Sequence, residues 1–507
     1  MPGIRRLPDP LVLAVDIGTG STRATLFDAA GDLQFVARAP LQMSSPQLGW
    51  SEQDPDEVVR ATVNVARKAL ARAAGSGIAA VSFSAQMYSI MAVARNGAPL
   101  TNSIPWTDTR AAVEAEEIRA EPGVSDLLAA TGCPVQAIYP LSKIRWMRVN
   151  DALPDDAMFI SIKDYVLWRL TGRLVTDWST ASGSGMLDLV SHTWSTTALS
   201  VAGLTVDNLP QLESPLTQLG SGDAGMLTDL GLPSGTPIVL GAGDAPLSSI
   251  GSGATTPDVL AINIGTSAAA RQTITHPAID PSGRLWTYFA TEDRWVRGGI
   301  VGSAGSVYDW IIDLAVPDSG TTDDSYSRAG ELAESTPPGA DGLMFLPYFS
   351  GEQSPAWRPS SRGAFVGLNL HHERRHLVRA AIEGVVFALQ RVRLAIEDMG
   401  DGTLREVSLT GGVTTSHVVR QIIADVLGLP VVVPPGHEGS ARGAAILAWV
   451  ALGAAESIDA FARDTLPDAP RLFPNEDAHT AYQSLYEDFV TIADRLGPSP
   501  NSKETTP

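Results

Sequence analysis

The feature that most constrains this chain is a repeat. Residues Leu13–Thr19 read LAVDIGT and residues Leu260–Thr266 read LAINIGT, in one register, with Ile262 for Val15 and Asn263 for Asp16. Each copy closes an apolar strand and leads into a second one, Ala24–Phe27 in the first case and Ala268–Thr275 in the other. Two copies about half a chain apart predict a duplicated domain, each half presenting a Gly-Thr hairpin to one ligand. Chance similarity between two apolar strands that end in glycine is the alternative. The length, 507 residues, exceeds what a single core holds, so two domains or more are expected. The boundary is expected near Gly251–Pro257, where Gly, Ser, Thr and Pro cluster, giving domains of 1–250 and 251–497 and a polar, disordered tail at 498–507.

The first copy carries the more reactive residues. A short branched run, Leu11–Val15, reads as a buried strand that ends on Asp16 and turns through Gly18-Thr19-Gly20. Glycine lets main-chain N–H groups close around phosphate oxygens with no Cβ in the way. Thr19 and Ser21 offer hydroxyls, Arg23 a fixed cation, and Asp16 a hard oxygen suited to Mg²⁺. The same residues also suit a plain β-hairpin with an Asp at its mouth.

Composition narrows the partners. Apolar residues at 44% and charged residues at 18% describe an ordinary globular protein. A formal charge of −20 argues against nucleic acid and acidic membranes. Any anionic substrate must therefore be held by local donors. Cys133 is the one cysteine, so no internal disulfide forms, which fits a reducing cytoplasm. No apolar run reaches the roughly 20 residues of a membrane span, and the apolar stretch after MPGIRRLPDP is too short for a signal peptide.

Taken in order, the chain alternates strands and helices. Leu33–Ala39 reads as a third strand, Asp54–Ala74 as a helix opened by Asp54-Pro55, and Ile78–Ser84 as a strand running into Gln86-Met87-Tyr88. Trp106–Arg110 forms a loop before a helix. Tyr139–Val149 and Ser161–Leu170 read as helices, and Ile238–Leu240 as a strand leading to Gly243-Asp244-Ala245. The second half predicts strands at Val259–Ile264, Leu285–Thr291 and Trp295–Val301, and a helix at Ser306–Leu314. Irregular loop is expected over Pro337–Arg362, and the longest helix at His372–Met399. A strand at Glu406–Thr410 ends on Gly411-Gly412 before a helix at Ser416–Leu427. A small-residue helix at Gly439–Leu452 must pack closely.

Several constellations then bear on chemistry. Gly411-Gly412 at a strand-to-helix junction suits an anion or nucleotide, and equally suits tight helix–sheet packing. No Gly-Lys pair occurs, which excludes a Walker A loop, and the G-x-G-x-x-R opening leads to a strand rather than to a dinucleotide-fold helix. Asp244 stands between small neighbours after an apolar strand, placed to accept a hydroxyl proton in phosphoryl transfer, or to cap a helix. Trp106, Asp108 and Arg110 supply a wall, an acceptor and a donor for a polyol, or a capped helix start. Gln86 and Tyr88 can bond hydroxyls and Met87 can wall a pocket. There is no His/Cys cluster for zinc and no nucleophile elbow.

These residues together resemble the FGGY family of carbohydrate kinases, in the actin/hexokinase/sugar-kinase superfamily, from Asp16 to about Leu452. The phosphate hairpin is similar to Asp16-Ile17-Gly18-Thr19 with Arg23, the second phosphate element to Gly265-Thr266-Ser267, and the adenosine-side element to Gly411-Gly412 with Ser416, Gln421 and Asp425. The C-terminal signature resembles Gly363–Leu368 continuing through His376-Leu377 to Glu383. SFSAQMYS at Ser82–Ser89, FISIKDYVLWRL at Phe159–Leu170 and STASGSG at Ser179–Gly185 look most like the gluconate kinase branch, which is xylulose kinase-like. Here Tyr88 replaces that branch's usual His, and Gly243-Asp244-Ala245 its usual Ser-Asp-Gly.

The resemblance implies an α/β fold of two duplicated RNase H-like domains with a central cleft. It implies ATP and Mg²⁺ as cofactors, Asp244 as catalytic base and Asp16 as metal ligand. Gly18, Thr19, Ser21, Arg23, Gly265, Thr266, Ser267, Gly411, Gly412 and Ser416 would hold nucleotide. Gln86, Met87, Tyr88, Trp106, Asp108, Arg110 and Asp244 would hold the acceptor. That acceptor would be a small sugar or sugar acid, with gluconate favoured and Arg110, Lys143 and Lys163 as cations for its carboxylate. A homodimer is the candidate assembly. The alternatives are a kinase of xylulose, ribulose or a short polyol, or a catalytically silent nucleotide- or sugar-binding regulator on the same fold.

Overall fold

The structure is a computed structural model that describes residues 10–220, 230–232, 235–316, 322–436, 438–466 and 469–496. The expected disordered tail at 498–507 lies outside the described residues. The chain forms two compact units that are not uninterrupted halves. The first comprises Met1–Thr255, Ile274–Val296 and Glu438–Pro467, and the second Thr256–Thr273, Arg297–His437 and Asp468–Pro507.

In the first unit, the apolar run and its glycine turn give β1 (Leu11–Ile17) and β2 (Ser21–Asp28), followed by β3 (Leu33–Pro40). β4 (Ile78–Ala85) lies parallel to β1, and β5 (Gln218–Leu219) and β6 (Ile238–Gly243) complete a sheet ordered β5-β6-β4-β1-β2-β3. β1 is buried along its whole length, as a central strand with no polar alternation should be. The helix Pro55–Arg72 opens on Asp54, whose carboxylate accepts from the Asp56 amide, and buries Val58, Val59, Thr62, Val65, Ala66 and Ala69.

The helix Gly439–Ala451 belongs to this first unit, although it lies far along the chain. It packs on the helix Asp244–Gly251 at backbone contact. A Cβ on Gly443 would fall 2.1 Å from the Leu247 carbonyl oxygen, and one on Gly251 would fall 1.9 Å from that of Gly439. The small residues of that helix are the condition for this approach.

The second unit repeats the strand order. β7 (Val259–Ile264) and β8 (Ala268–Ile274) form the second hairpin, β9 (Arg294–Val301) follows, and β10 (Glu406–Gly411) lies parallel to β7. With β11 (Val431–Val432) and β12 (Arg471–Leu472) the order runs β9-β8-β7-β10-β11-β12. These six strands follow the order of the first sheet, down to an antiparallel strand on the far edge (β5 on β6, β12 on β11), while this sheet carries a seventh strand, Trp286–Thr291. The longest helix, Arg374–Glu397, buries an almost continuous face from Val378 to Ile396.

Three local expectations are corrected. Pro337–Arg362 is not wholly irregular, because Met344–Leu346 pairs with Ala364–Val366. A 3-10 turn, Gly412–Thr415, separates Gly411 from the following helix, so the cap falls on Ser416. The helices Thr322–Glu334 and Glu476–Leu496 were absent from the sequence reading.

Candidate active site

In the first unit, Asp16 ends β1 and pairs in register with Arg23 on β2 and Ser84 on β4. Its side chain is buried. Ser84 Oγ donates to Oδ1 at 2.8 Å, and Arg23 Nη1 stands 3.7 Å from Oδ2. Burial pushes the carboxyl above the usual range, opposed by Ser84 and Arg23 and reinforced by Glu438. Arg23 donates to Glu438 at 2.9 Å, and Arg38, its register partner on β3, lies 3.5 Å from the same carboxylate. Glu438 directly precedes the Gly439–Ala451 helix. The sequence reading passed over it because nothing local marks it.

The turn at Gly18–Gly20 is tied to both acceptor segments. Thr19 Oγ1 donates to Gln86 Oε1 at 2.9 Å and accepts from Trp106 Nε1 at 3.0 Å. Gln53, also missed by the sequence reading, donates to the Thr19 carbonyl at 2.7 Å and accepts from Gln86 at 2.7 Å. The Thr19 hydroxyl proton is thereby engaged within the protein. Gly20 is exposed and a Cβ there would meet nothing within 4 Å, while its carbonyl accepts from the Leu41 amide at 3.1 Å. Ser21 starts β2 half-buried.

Asp244 is the first residue of its helix, and Gly243 is the cap. Its Oδ1 accepts from the Met87 amide at 3.3 Å, which places the carboxylate beside the Gln86–Tyr88 segment. A glycine makes this possible. Gly241 has φ +67°, a Cβ there would lie 1.8 Å from the Phe83 carbonyl oxygen, and the β4–β6 register shifts at that point. Tyr88 has φ +67° as well, and its hydroxyl donates to Tyr288, whose hydroxyl is 2.7 Å from that of Tyr139.

Asp108 and Arg110 are brought together with each other. Arg110 Nε sits 3.0 and 2.9 Å from the two Asp108 oxygens, and its Nη2 is 2.9 Å from Glu52. The guanidinium is nearly fully buried, stacked 3.9 Å from the Trp50 ring centroid and 5.0 Å from that of Trp146. Lys163 lies 2.5 Å from Asp177, and Lys143 donates to the Tyr88 and Pro105 carbonyls. All three cations expected for a substrate carboxylate therefore have partners inside the unit. Among the described residues no group of three metal-ligating side chains occurs.

In the second unit the β7–β8 turn is one residue shorter than the first and is likewise closed by its glycine amide. The Gly265 amide donates to the Ser267 carbonyl, as Gly18 does to Ser21. The helix Gly305–Ala315 docks on this turn. The Gly305 amide donates to the Gly265 carbonyl at 2.9 Å, and a Cβ on Gly305 would lie 2.2 Å from that oxygen. Gly411 has φ +107° with the Ile264 carbonyl 2.1 Å from its hypothetical Cβ, whereas Gly412 is exposed and unobstructed.

A cavity of about 870 Å³ follows, lined by Gly265, Thr266, Tyr308, Gly412 and Ser416 with Asp309, Glu331 and Glu334 at its acidic side. Its volume suits a nucleoside. Gln421 and Asp425 do not join this lining. Asp425 is buried, accepts from Gln421 and from the Asn475 amide, and borders a separate cavity of about 740 Å³ with Phe473.

Comparison with known proteins accounts for both units. Residues 11–251 match the N-terminal domain, and residues 260–452 the C-terminal domain, of the FGGY family of carbohydrate kinases. A gluconokinase of Bacillus licheniformis is 36% identical over 494 residues, covering 96% of each chain. The crystal structure of a gluconate kinase from Lactobacillus acidophilus superposes with a TM-score of 0.90 at 30% identity, over 96% of this chain and 98% of that one. A ligand-bound xylulose kinase from the same organism gives the same TM-score, identity and coverage. The chain belongs to the FGGY family of carbohydrate kinases and is an ATP-dependent enzyme of that family.

Proposed function

We propose that the protein transfers the γ-phosphoryl group of ATP to a terminal hydroxyl of a small sugar or sugar acid, gluconate being the favoured acceptor. Asp244 accepts the hydroxyl proton and aims the oxygen. Gln86, Met87, Tyr88 and Trp106 contact the acceptor, and Asp108 and Arg110 shape its wall. In the second unit, Gly265, Thr266, Ser267, Gly411, Gly412 and Ser416 hold the nucleotide. In the first, Gly18, Thr19, Ser21 and Arg23 meet phosphate oxygens. Asp16 suits Mg²⁺, which takes one or two carboxylates and otherwise water and phosphate oxygens. The metal would neutralise charge on the phosphates. A single cysteine, Cys133, cannot form an internal disulfide, which suits a cytoplasmic setting.

The observation that carries this reading is the convergence of four segments: the Met87 amide on Asp244, and the Thr19 hydroxyl between Gln86 and Trp106. A phosphate turn, an acceptor strand end and a half-buried carboxylate thus share one bonded cluster. One further observation supports a second acceptor class. Arg110, Lys143 and Lys163 are already partnered, an arrangement that also suits a neutral ketose or polyol. ATP consumption across gluconate, xylulose, ribulose, erythritol and glycerol tests the choice. Turnover with none of them, together with intact nucleotide binding, would support a silent regulator instead.

A further inference from the structure

We propose that Lys143 is a positioning residue that holds the two acceptor segments, Gln86–Tyr88 and Trp106–Arg110, in one geometry by donating to a main-chain carbonyl beside each. The inference rests on the acceptor assignment above. Lys143 Nζ is 3.1 Å from the Tyr88 carbonyl oxygen and 2.7 Å from that of Pro105. Its side chain is wholly buried, on the helix Pro140–Asn150. Carbonyl oxygens only accept, so both bonds are donated by the nitrogen whatever its charge.

Three further features give these bonds their consequence. The two segments are already joined by one bridge, the mutual amide–carbonyl bonds of Ile90 and Ile104. The Tyr88 and Pro105 carbonyls lie just beyond that bridge, and the amine is the group that bonds to both, the Pro105 carbonyl accepting in addition from the Asp108 amide at 3.2 Å. Tyr88 holds a left-handed backbone at φ +67°, a conformation an aromatic residue keeps only where its surroundings impose it. Tyr139, the residue that caps the Lys143 helix, packs its ring edge-on against Tyr88 at 5.4 Å. One helix therefore fixes both the carbonyl and the ring of Tyr88. A methionine at 143 would fill the same space without burying a charge, so the two bonds are what the amine adds.

The test uses the full-length enzyme and its two best acceptors from the panel. In Lys143→Met, kcat/KM for the acceptors should fall by about tenfold or more, with the ratio between the two acceptors shifted several-fold. ADP affinity by calorimetry should stay within about twofold. A merely structural loss would lower both acceptors alike, so a folded variant with an unchanged ratio would overturn the proposal. If Lys143→Met does not fold, Lys143→Gln, which keeps a donor on a shorter stem, is read by the same ratio. Gln86→Ala separates the two levels. If it leaves acceptor kinetics untouched the acceptor assignment fails, and if it impairs them while the Lys143 variants do not, only the positioning role fails.

Discussion

The two hairpins of this protein share a seven-residue motif and a strand order, and of the two exchanges within that motif only one, Asp16 against Asn263, changes charge. In the first unit Asp16 accepts from Ser84, its register partner on the parallel strand. In the second, Asn263 donates to Thr410, its own partner at the equivalent place. The hydroxyl reverses its role, because a carboxylate can only accept while an amide can donate. The scaffold is thus indifferent to the exchange, and the chemistry is not. Asp16 brings a buried negative charge beside Arg23 and Glu438. Asn263 brings none, and its hairpin serves instead as the seat of a helix N-terminus beside a nucleoside-sized cavity.

This contrast can be broken in order of effect. Asp244→Ala removes the only carboxylate proposed to take the hydroxyl proton. Turnover should fall by about 10²–10⁴, while ADP binding by calorimetry is kept. Sizeable residual turnover would place the base elsewhere. Exchanging the hairpins' distinguishing residues comes next. Asp16→Asn should lower kcat by about 10²–10³ and weaken Mn²⁺ binding followed by electron paramagnetic resonance, and Asn263→Asp should change kcat by less than about threefold. Equal effects of the two exchanges would show that charge is not what separates the turns.

Backbone substitutions sharpen the comparison further. Gly241→Ala and Gly411→Ala each force a methyl into a carbonyl at a positive φ. Each should lower unfolding free energy by roughly 3 kcal/mol or more in chemical denaturation. Gly20→Ala and Gly412→Ala, on open backbone, should stay within about 0.5 kcal/mol and act on nucleotide KM instead. A pH dependence concerns Lys143, whose amine is pushed down to about 7, mainly by burial and further by Arg110, against the opposing pull of Asp108. Its folded pKa lies below its unfolded one, so between pH 7 and 10.5 the unfolded chain holds a proton that the folded chain has released. Stability should therefore rise through that window. Calorimetric scans at pH 7 and 9 should show the rise in the wild type and a flatter profile in Lys143→Met.

Much of the fold was legible because it depends on local pattern. The apolar runs, the Asp54-Pro55 helix opening and the repeated motif each act over a few residues, and the strands and helices they predict are present. Legibility failed at Pro337–Arg362, where Pro and Gly content conceals a short strand whose partner lies about twenty residues on. It also failed at Glu476–Leu496, which buries only a narrow face, Tyr482, Phe489 and Ala493.

The site divides in the same way. Residue types and turn chemistry are properties of the sequence, and they were sufficient for the strand–turn–strand units and the family. Which polar groups remain available is a property of the fold. Only the tertiary structure shows Arg110 held between Trp50 and Trp146 on Asp108, Glu438 drawn onto Arg23 from far along the chain, and Gln421 and Asp425 turned to a different cavity from Ser416. The reason is physical. A side chain's identity sets which bonds it can make, but packing at long sequence separation decides which of those bonds are already made when a ligand arrives.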